Sequence, residues 1–418
     1  MEIWSFFSGG MGLDLGFEEA GLHTTLAVES DKWCCDTIRK NRPDITLIED
    51  DVHVLCGADL RKMRRFDHDV FLMIGGPPCQ TFSPGGKRAG LNDPRGNLIY
   101  EYLRLIKEVQ PQHFLLENVA NLITAALQHR KIEDRPGKHW NLKRYSSGSV
   151  AADDGNAPLL PEERSGSAIR QILKDVRGLG YSVRFGVLDS ADYGAPQHRL
   201  RFVMLGSRDS VAPELPSPTH GIVKGLHPFR TVRDAIEDLR DVRGEHSIYG
   251  AEIAKYFQYI PQGGNWRDLP DDLKREAMGG AFDSGGGKTG FFRRLDWNAP
   301  APTITTRANR KGSAMCHPEF TRPLSVRECA RLQGFPDTWI FAGAMNQQYM
   351  QVGNAVPVNL AKAVAPGFVV RRSIATATGP ESEKDSIELM LDRSIKRLRI
   401  SARNKRITDR NPSALLFA

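Results

Sequence analysis

Short apolar runs closed by an acid or a glycine recur through the first half of the chain. Ile3-Trp4-Ser5-Phe6-Phe7, Thr24 to Glu29, Thr46 to Glu49, Val70-Phe71-Leu72-Met73-Ile74 and His113-Phe114-Leu115-Leu116 are such runs. Apolar segments of this length without polar alternation read as parallel strands buried on both faces. Between the last two, apolar residues at 98, 99, 102, 103, 105, 106 and 109 put one buried face on a helix over Asn97 to Val109. A helix over Ala168 to Leu179 and a strand over Tyr181 to Leu188 continue the alternation. Strand-helix alternation predicts an α/β, Rossmann-like sheet with helices on both faces.

The pattern breaks twice. Ala125 to Arg164 is polar, with Ser, Gly and Pro clusters and Trp140 alone among them, and reads as an inserted loop. From Ser207 to Pro302 short apolar pieces, glycine pairs and prolines replace the alternation, which predicts a smaller irregular domain. Order resumes at Ser325-Val326-Arg327-Glu328, a capping box that starts a helix through Gln333, with Gly334-Phe335-Pro336 as its stop. Pro357 opens a further helix, Val358 to Val364. Residues 371–418 hold eleven Lys and Arg against six Asp and Glu, with Ile387, Leu391, Ile395 and Leu398 at helical spacing. That is a basic amphipathic helix docked on the protein or on DNA, or else a solvated tail. The expected division is a catalytic domain over 1–206, the irregular domain over 207–324, a return to the first domain over 325–370 and a basic extension over 371–418.

Length changes this picture little: 418 residues exceed one ordinary core and agree with two domains. Charge adds a partner. A net charge of +7 and a pI of about 9.1 favour an anionic ligand, most simply nucleic acid. The six cysteines include no C-x-x-C pair and no zinc spacing, so no metal site is expected. No 18-residue apolar run and no signal peptide are visible, which points to a reducing cytoplasm and no membrane.

The candidate chemistry lies where the runs stop. Val70 to Ile74 is closed by Gly75-Gly76-Pro77-Pro78, and Cys79-Gln80 follow on that stiff turn. A cysteine there is either a buried structural thiol or one facing a cleft, and carboxyl ends of strands are where open α/β sheets place ligands. Glu117 follows Phe-Leu-Leu in Glu117-Asn118-Val119, so a carboxylate marks a neighbouring strand end. Ser8-Gly9-Gly10-Met11-Gly12-Leu13 gives strand, glycine turn and helix, a layout that cradles a nucleotide. Glu29, at the end of the next strand, can accept from a ribose diol, and Asp51 from an adenine amino group. Gly194-Ala195-Pro196-Gln197-His198-Arg199-Leu200-Arg201 places Gln197, Arg199 and Arg201 on one face at strand period.

These segments, with Arg322 to Asp337 and Gln351-Val352-Gly353-Asn354-Ala355-Val356-Pro357, occur in an order that resembles the cytosine carbon-5 DNA methyltransferases. The resemblance covers roughly 1–365, and Ser5, Met11 and Ser30 depart from the family's pattern. It implies an S-adenosylmethionine-dependent methyltransferase sheet with a smaller target-recognition domain. S-adenosylmethionine would lie on Phe7, Ser8, Gly9, Gly10, Met11, Gly12, Leu13, Glu29, Ser30, Asp51, Val52, Pro78, Leu98, Asn354, Ala355 and Val356. Cys79 would add to carbon 6 of a flipped-out cytosine, Glu117 would steady ring nitrogen 3, and carbon 5 would then take the methyl group. Arg201 would hold the cytosine carbonyl and a phosphate. Arg199 would order the cysteine loop and the phosphates. DNA would be held by Lys87, Arg88 and Arg95 in a closing loop over Thr81 to Gly96. Further DNA contacts would come from Gln262, Asn265, Trp266, Lys288, Arg293, Arg294 and Thr303. The implied setting is a bacterial restriction-modification system: a cytoplasmic monomer acting on duplex DNA, either with a cognate restriction endonuclease as functional partner or as a solitary or regulatory enzyme. A transfer-RNA cytosine methyltransferase and a non-catalytic DNA-binding relative are the alternatives.

Overall fold

The computed structural model describes residues 1–78, 98–128, 160–209, 211–240, 245–283, 288, 290–369 and 380–408. The strands are Ile3–Phe6 (β1), Thr24–Glu29 (β2), Thr46–Glu49 (β3), Leu72–Gly75 (β4), His113–Val119 (β5), Ser182–Asp189 (β6), Gln197–His198 (β7), Leu200–Ser207 (β8) and Ala301–Pro302 (β9). Seven of them form one sheet in the order β3-β2-β1-β4-β5-β8-β6, and β7 pairs with β9 apart from it. Every pair from β3 to β5 is parallel, while β8 runs antiparallel to both β5 and β6. The strand order reverses between β1 and β4, the place where a crevice opens at the carboxyl ends of an open α/β sheet.

Both faces of the sheet are covered. Met73, Phe114 and Leu116 face a core shared with Ile99, Tyr102, Leu103 and Ile106 of the helix Leu98–Val109. Leu72, Ile74 and Leu115 face the opposite core. This two-sided burial explains why the strands read as unbroken apolar runs.

The helices, in chain order, are Gly12–Glu19 (α1), Lys32–Asn41 (α2), Gly57–Lys62 (α3), Leu98–Val109 (α4), Ser167–Gly178 (α5), Val232–Ile236 (α6), Ala251–Phe257 (α7), Asp271–Met278 (α8), Val326–Leu332 (α9), Met345–Asn354 (α10), Val358–Val364 (α11) and Pro380–Thr408 (α12). Ser325 caps α9 and Glu328 closes the box by accepting from the Ser325 amide at 2.6 Å, as its sequence predicts.

The end of the chain folds back on its beginning, since α1 packs along α11. Two glycines make that contact possible. A Cβ on Gly12 would lie 2.3 Å from the Val356 carbonyl, and one on Gly16 would lie 2.4 Å from both Ala361 Cβ and the Val358 carbonyl. Gly12, read from sequence as a ligand-facing glycine, thus also serves helix packing.

The irregular region has a small core of its own, built on Tyr249, Tyr256, Phe257, Ile260, Leu269, Met278 and Phe292. It contains α6, α7 and α8, which the sequence pattern did not reveal. Of the polar insertion, 129–159 and with it Trp140 lie outside the described residues. The flanks of the insertion are packed: Ala126 is buried and the Gln128 amide donates to the Glu162 carbonyl at 3.0 Å.

Candidate active site

A cavity of about 540 Å³ opens at the carboxyl ends of β1, β2, β4 and β5. Every residue assigned above to S-adenosylmethionine lines it except Met11. Met11 holds a left-handed backbone (φ 62°) and is fully buried, and its side chain joins the core around Ala27, Ile38 and Val352. The turn therefore aims the side chain into the core and away from the cavity, against the expectation that it lines the cofactor site. Phe7 also holds a positive φ of 56°, so two side chains in one short loop sit in a costly conformation that the surrounding packing must enforce.

Glu29 ties that loop to β2. Its Oε2 accepts from the Gly9 amide at 2.7 Å, and its Oε1 accepts from the Ser30 and Asp31 amides at 2.8 and 2.9 Å. Burial nonetheless raises its carboxyl above the usual range, with the amides working against it. A carboxylate offers about four acceptor positions, so capacity remains for a hydroxyl donor. Asp51 caps the turn after β3: its Oδ1 accepts from the His53 amide at 2.9 Å, and that contact first of all holds its carboxyl below the usual range. The second oxygen takes no hydrogen bond from the described residues, and the residue is exposed at the cavity. An acid on a glycine loop, a second acid one strand further on and an apolar floor of Val28, Val52 and Val356 fit an adenosyl group with its ribose diol.

Glu117 sits at the other end of the same cavity. Strand register explains its partner: Glu117 lies opposite Val203 and Val119 opposite Arg201, so Arg201 falls diagonal to Glu117 on one sheet face. Arg201 Nε approaches Glu117 Oε1 to 2.7 Å. The N–H is not aligned on that oxygen, which has no hydrogen bond. Glu117 is buried, and burial pushes its carboxyl upward against the pull of Arg201 and Arg199. Glu117 Oε2 faces the turn after β4, since a Cβ on Gly76 would come within 3.0 Å of it. Asn118 fastens that turn by donating from Nδ2 to the Pro77 carbonyl at 3.0 Å. Asn118 was not singled out in the sequence, although its place between Glu117 and Val119 was the available signal.

Cys79 itself lies outside the described residues, as do Lys87, Arg88 and Arg95. What the structure describes is the turn up to Pro78, which lines the cavity.

The two arginines differ. Arg201 faces Glu117. Arg199 is buried and donates from Nη1 to the Ile304 carbonyl at 2.9 Å and from Nη2 to the Gly353 carbonyl at 2.7 Å. Both Nη groups of Arg199 are committed inside the protein, while its Nε has no hydrogen-bond partner among the described residues and the residue lines the cavity. It pins the irregular region and α10 to the arginine strand.

Two of the expected DNA contacts are also corrected. Arg294 is buried and donates to the carbonyls of Ile260, Phe257, His317 and Phe320 and to Thr321 Oγ1, so it is the internal clamp of the small core. Asn265 is buried and caps the turn at Trp266. Trp266 stands edge-on to Phe282 and is half-buried. Gln262 is exposed but holds Asp296 Oδ1 at 2.6 Å, Lys288 Nζ donates to the Phe282 carbonyl at 2.6 Å, and Arg293 is half-buried. Thr303 is exposed and donates from Oγ1 to the His198 carbonyl at 2.9 Å, beside the arginine strand. Gln347, Met350 and Gln351 of α10 and Asp14 of α1 also line the cavity and were not anticipated.

Among the described residues no group of three or more His, Cys, Asp or Glu could hold a metal ion, and no helix is long and apolar enough to cross a membrane.

Residues 1–133 and 156–368 match the family model described as C-5 cytosine-specific DNA methylase. The type II methyltransferase M.PspPI of Psychrobacter sp. is 38% identical over 87% of this chain and 77% of its own length. The type II methyltransferases M.Sau96I of Staphylococcus aureus and M.Eco47II of Escherichia coli are 35% and 37% identical, each over 88% of this chain and over 75% and 78% of their own lengths. Among solved structures, a putative DNA modification methyltransferase encoded within an E. coli prophage is 26% identical with a TM-score of 0.57, covering 88% of this chain and 98% of that one. A DNMT2 mutant of Spodoptera frugiperda, 14% identical with a TM-score of 0.54 over 88% of this chain and 99% of that one, shares the fold.

Proposed function

The chain belongs to the C-5 cytosine-specific DNA methylase family, and from that premise we infer that it methylates carbon 5 of cytosine in DNA, using S-adenosylmethionine. The observation that carries the inference is the shared cavity. The adenosyl-type cradle of Glu29 and Asp51 and the buried pair Glu117–Arg201 open into one space at the strand order reversal.

S-adenosylmethionine, when bound, supplies an electrophilic methyl group. The residues of this chain have to make carbon 5 nucleophilic, which it is not in free cytosine. We assign Cys79 as the attacking thiolate: its sulfur bonds to carbon 6, and the ring's electrons move toward nitrogen 3. We assign Glu117 to nitrogen 3 and the exocyclic amine. A carboxyl pushed upward by burial keeps its proton closer to neutral pH, so it can place that proton on nitrogen 3 as charge develops there. Arg201 lies against Glu117 and is assigned to the cytosine carbonyl. After methylation, loss of the carbon-5 proton and expulsion of the sulfur restore the aromatic ring. Glu29 is assigned to the ribose diol and Asp51 to the adenine amine.

Residues 207–324 are assigned to target recognition, with the exposed Gln262 and Thr303 as candidates for DNA contact and Lys87, Arg88 and Arg95 as candidates in the loop after Cys79. The names of the relatives support a type II restriction-modification setting, hence a bacterial cytoplasm and a cognate endonuclease. The test is tritiated methyl transfer to duplex DNA, with transfer RNA as the competing substrate. Wild-type protein should label duplex DNA, Cys79→Ser should abolish labelling, and DNA carrying fluorinated cytosine should trap a covalent complex. Full activity of Cys79→Ser would refute the covalent route, and labelling of RNA alone would refute the substrate.

A further inference from the structure

The family match ends at residue 368, yet the chain continues into α12. One edge of α12 is docked. Leu391 is 3% exposed, and Ile387, Met390, Ile395 and Leu398 pack against the main sheet core. Arg170 Nη2 donates to Glu388 Oε2 at 3.1 Å, and Arg397 pairs with Asp192. Asp192 lies in the turn just past β6, and α12 also packs on the turn Ala120–Thr124 that follows β5. Because β5 and β6 both run antiparallel to β8, these two turns lie at the same carboxyl rim, the rim at which the cavity opens. The helix is thus held along the edge strand β6, on the rim side of the sheet at which the cavity opens, rather than trailing in solvent.

Its other face is basic. Arg393, Lys396 and Arg399 are exposed, Lys396 pairs with Asp392 at 2.6 Å, and Arg393 and Arg399 make no ion pair among the described residues. Folding uses the apolar edge and leaves these cations exposed at one flank of a sheet whose cavity takes a polyanionic substrate. We propose that the outer face of α12 binds the phosphates of duplex DNA flanking the target cytosine, as a second grip outside the recognition region. This rests on the reading of duplex DNA as substrate. Phosphate contacts of this kind add affinity and salt dependence without adding sequence preference.

The test uses the full chain and two duplexes that carry the target site, located beforehand by bisulfite sequencing of DNA from expressing cells. One duplex ends close to the site and the other extends about one helical turn further on each side. Dissociation constants are measured across a salt series, with methyl transfer in parallel. Wild-type protein should bind the longer duplex more tightly and with a steeper salt slope. The triple reversal R393E/K396E/R399E should lose that advantage, its slope on the longer duplex flattening by up to about 3, at about 0.9 for each phosphate no longer neutralised. Its turnover, its affinity for the short duplex and its thermal unfolding should stay as in the wild type. An unchanged slope on the longer duplex overturns the proposal, and so does an equal loss on both duplexes. Absence of any methylated site in that sequencing and of methyl transfer to any duplex would instead refute the functional reading, and the slopes on a short and a long duplex of arbitrary sequence would still report on α12.

Discussion

Replacing Glu117 by glutamine should make the protein more stable at neutral pH while removing most of its activity. Glu117 is 8% exposed, and burial lifts its carboxyl above the ordinary value of 4.5 despite two nearby arginines. The folded state therefore binds the proton more tightly than the unfolded chain does. Below the unfolded value both states are protonated and the associated stability is fully present. As pH rises through the folded value the unfolded chain has already ionised, and the folded protein loses stability until it too has ionised. The loss is about 1.4 kcal/mol for each unit by which the carboxyl is raised. An amide keeps the shape of the protonated acid and never ionises, so Glu117→Gln escapes the loss. Arg201 does not reverse the sign, because in the protonated wild type it also faces a neutral partner. Activity should fall by about 10²- to 10⁴-fold, since an amide cannot deliver a proton to the ring. Urea unfolding from about pH 4 to about pH 8, run beside single-turnover methyl transfer, checks both halves. The two proteins should be equally stable at the acid end and diverge in favour of the variant as pH rises. A variant less stable at the alkaline end, or a difference that ignores pH, would refute the account of a strained carboxyl.

Further outcomes follow from the packing and the cofactor loop. Gly16→Ala should destabilise by about 1–3 kcal/mol in chemical denaturation, because its Cβ would meet Ala361 and the Val358 carbonyl at 2.4 Å. Wild-type stability in that variant would show that α1 and α11 can separate freely. Glu29→Gln should weaken binding of S-adenosylhomocysteine by about 10- to 100-fold in calorimetry, as a charged acceptor is lost, with kcat little changed at saturating cofactor. An unchanged Kd would leave Glu29 as a loop clamp only. Arg294→Met should cost at least about 3 kcal/mol by leaving buried carbonyls unpaired, and hydrogen exchange should rise across the small core of α7 and α8. A variant of normal stability with weaker DNA binding would return Arg294 to the DNA interface.

The legible parts of the fold were those where burial alone dictates sequence. The spans of β2 and β3 follow from short runs closed by Glu29 and Glu49, and the start of α11 follows from Pro357, whose fixed backbone opens the helix. The direction of β8 was not legible, because direction is set by the connection through Asp189 to Arg199 and leaves no mark on the run itself. α2 was passed over although Asp31 caps it and Cys34, Cys35 and Ile38 form its inner edge, since its remaining residues, Trp33 apart, are polar. At the site, cavity-lining positions were readable because a nucleotide-type ligand demands acids and small residues at strand ends. Met11 was misread because only the backbone angle decides which way its side chain leaves the loop. Arg294 was misread for a related reason. A guanidinium reads as a DNA contact from composition, but here five acceptors from folded-back segments surround it.

The two arginines of β7–β8 show how one short segment can serve fold and chemistry without conflict. Arg199 holds Ile304 and Gly353, and so ties the irregular region and the last helices to the sheet. Two residues on, Arg201 turns to Glu117. Because Gly353 precedes Asn354, Ala355 and Val356, the same arginine that braces the fold also sets one wall of the cofactor cavity. The cavity wall, the irregular region and the Glu117 carboxyl therefore share one mechanical frame. A lysine at 199 could reach only one of the two carbonyls with comparable geometry, whereas a lysine at 201 would still present a cation to Glu117. The two conservative changes should accordingly fail differently. Arg199→Lys should weaken cofactor and DNA binding together, and Arg201→Lys should lower turnover with both affinities near those of the wild type. Identical losses in the two variants would mean that the segment acts only as structure.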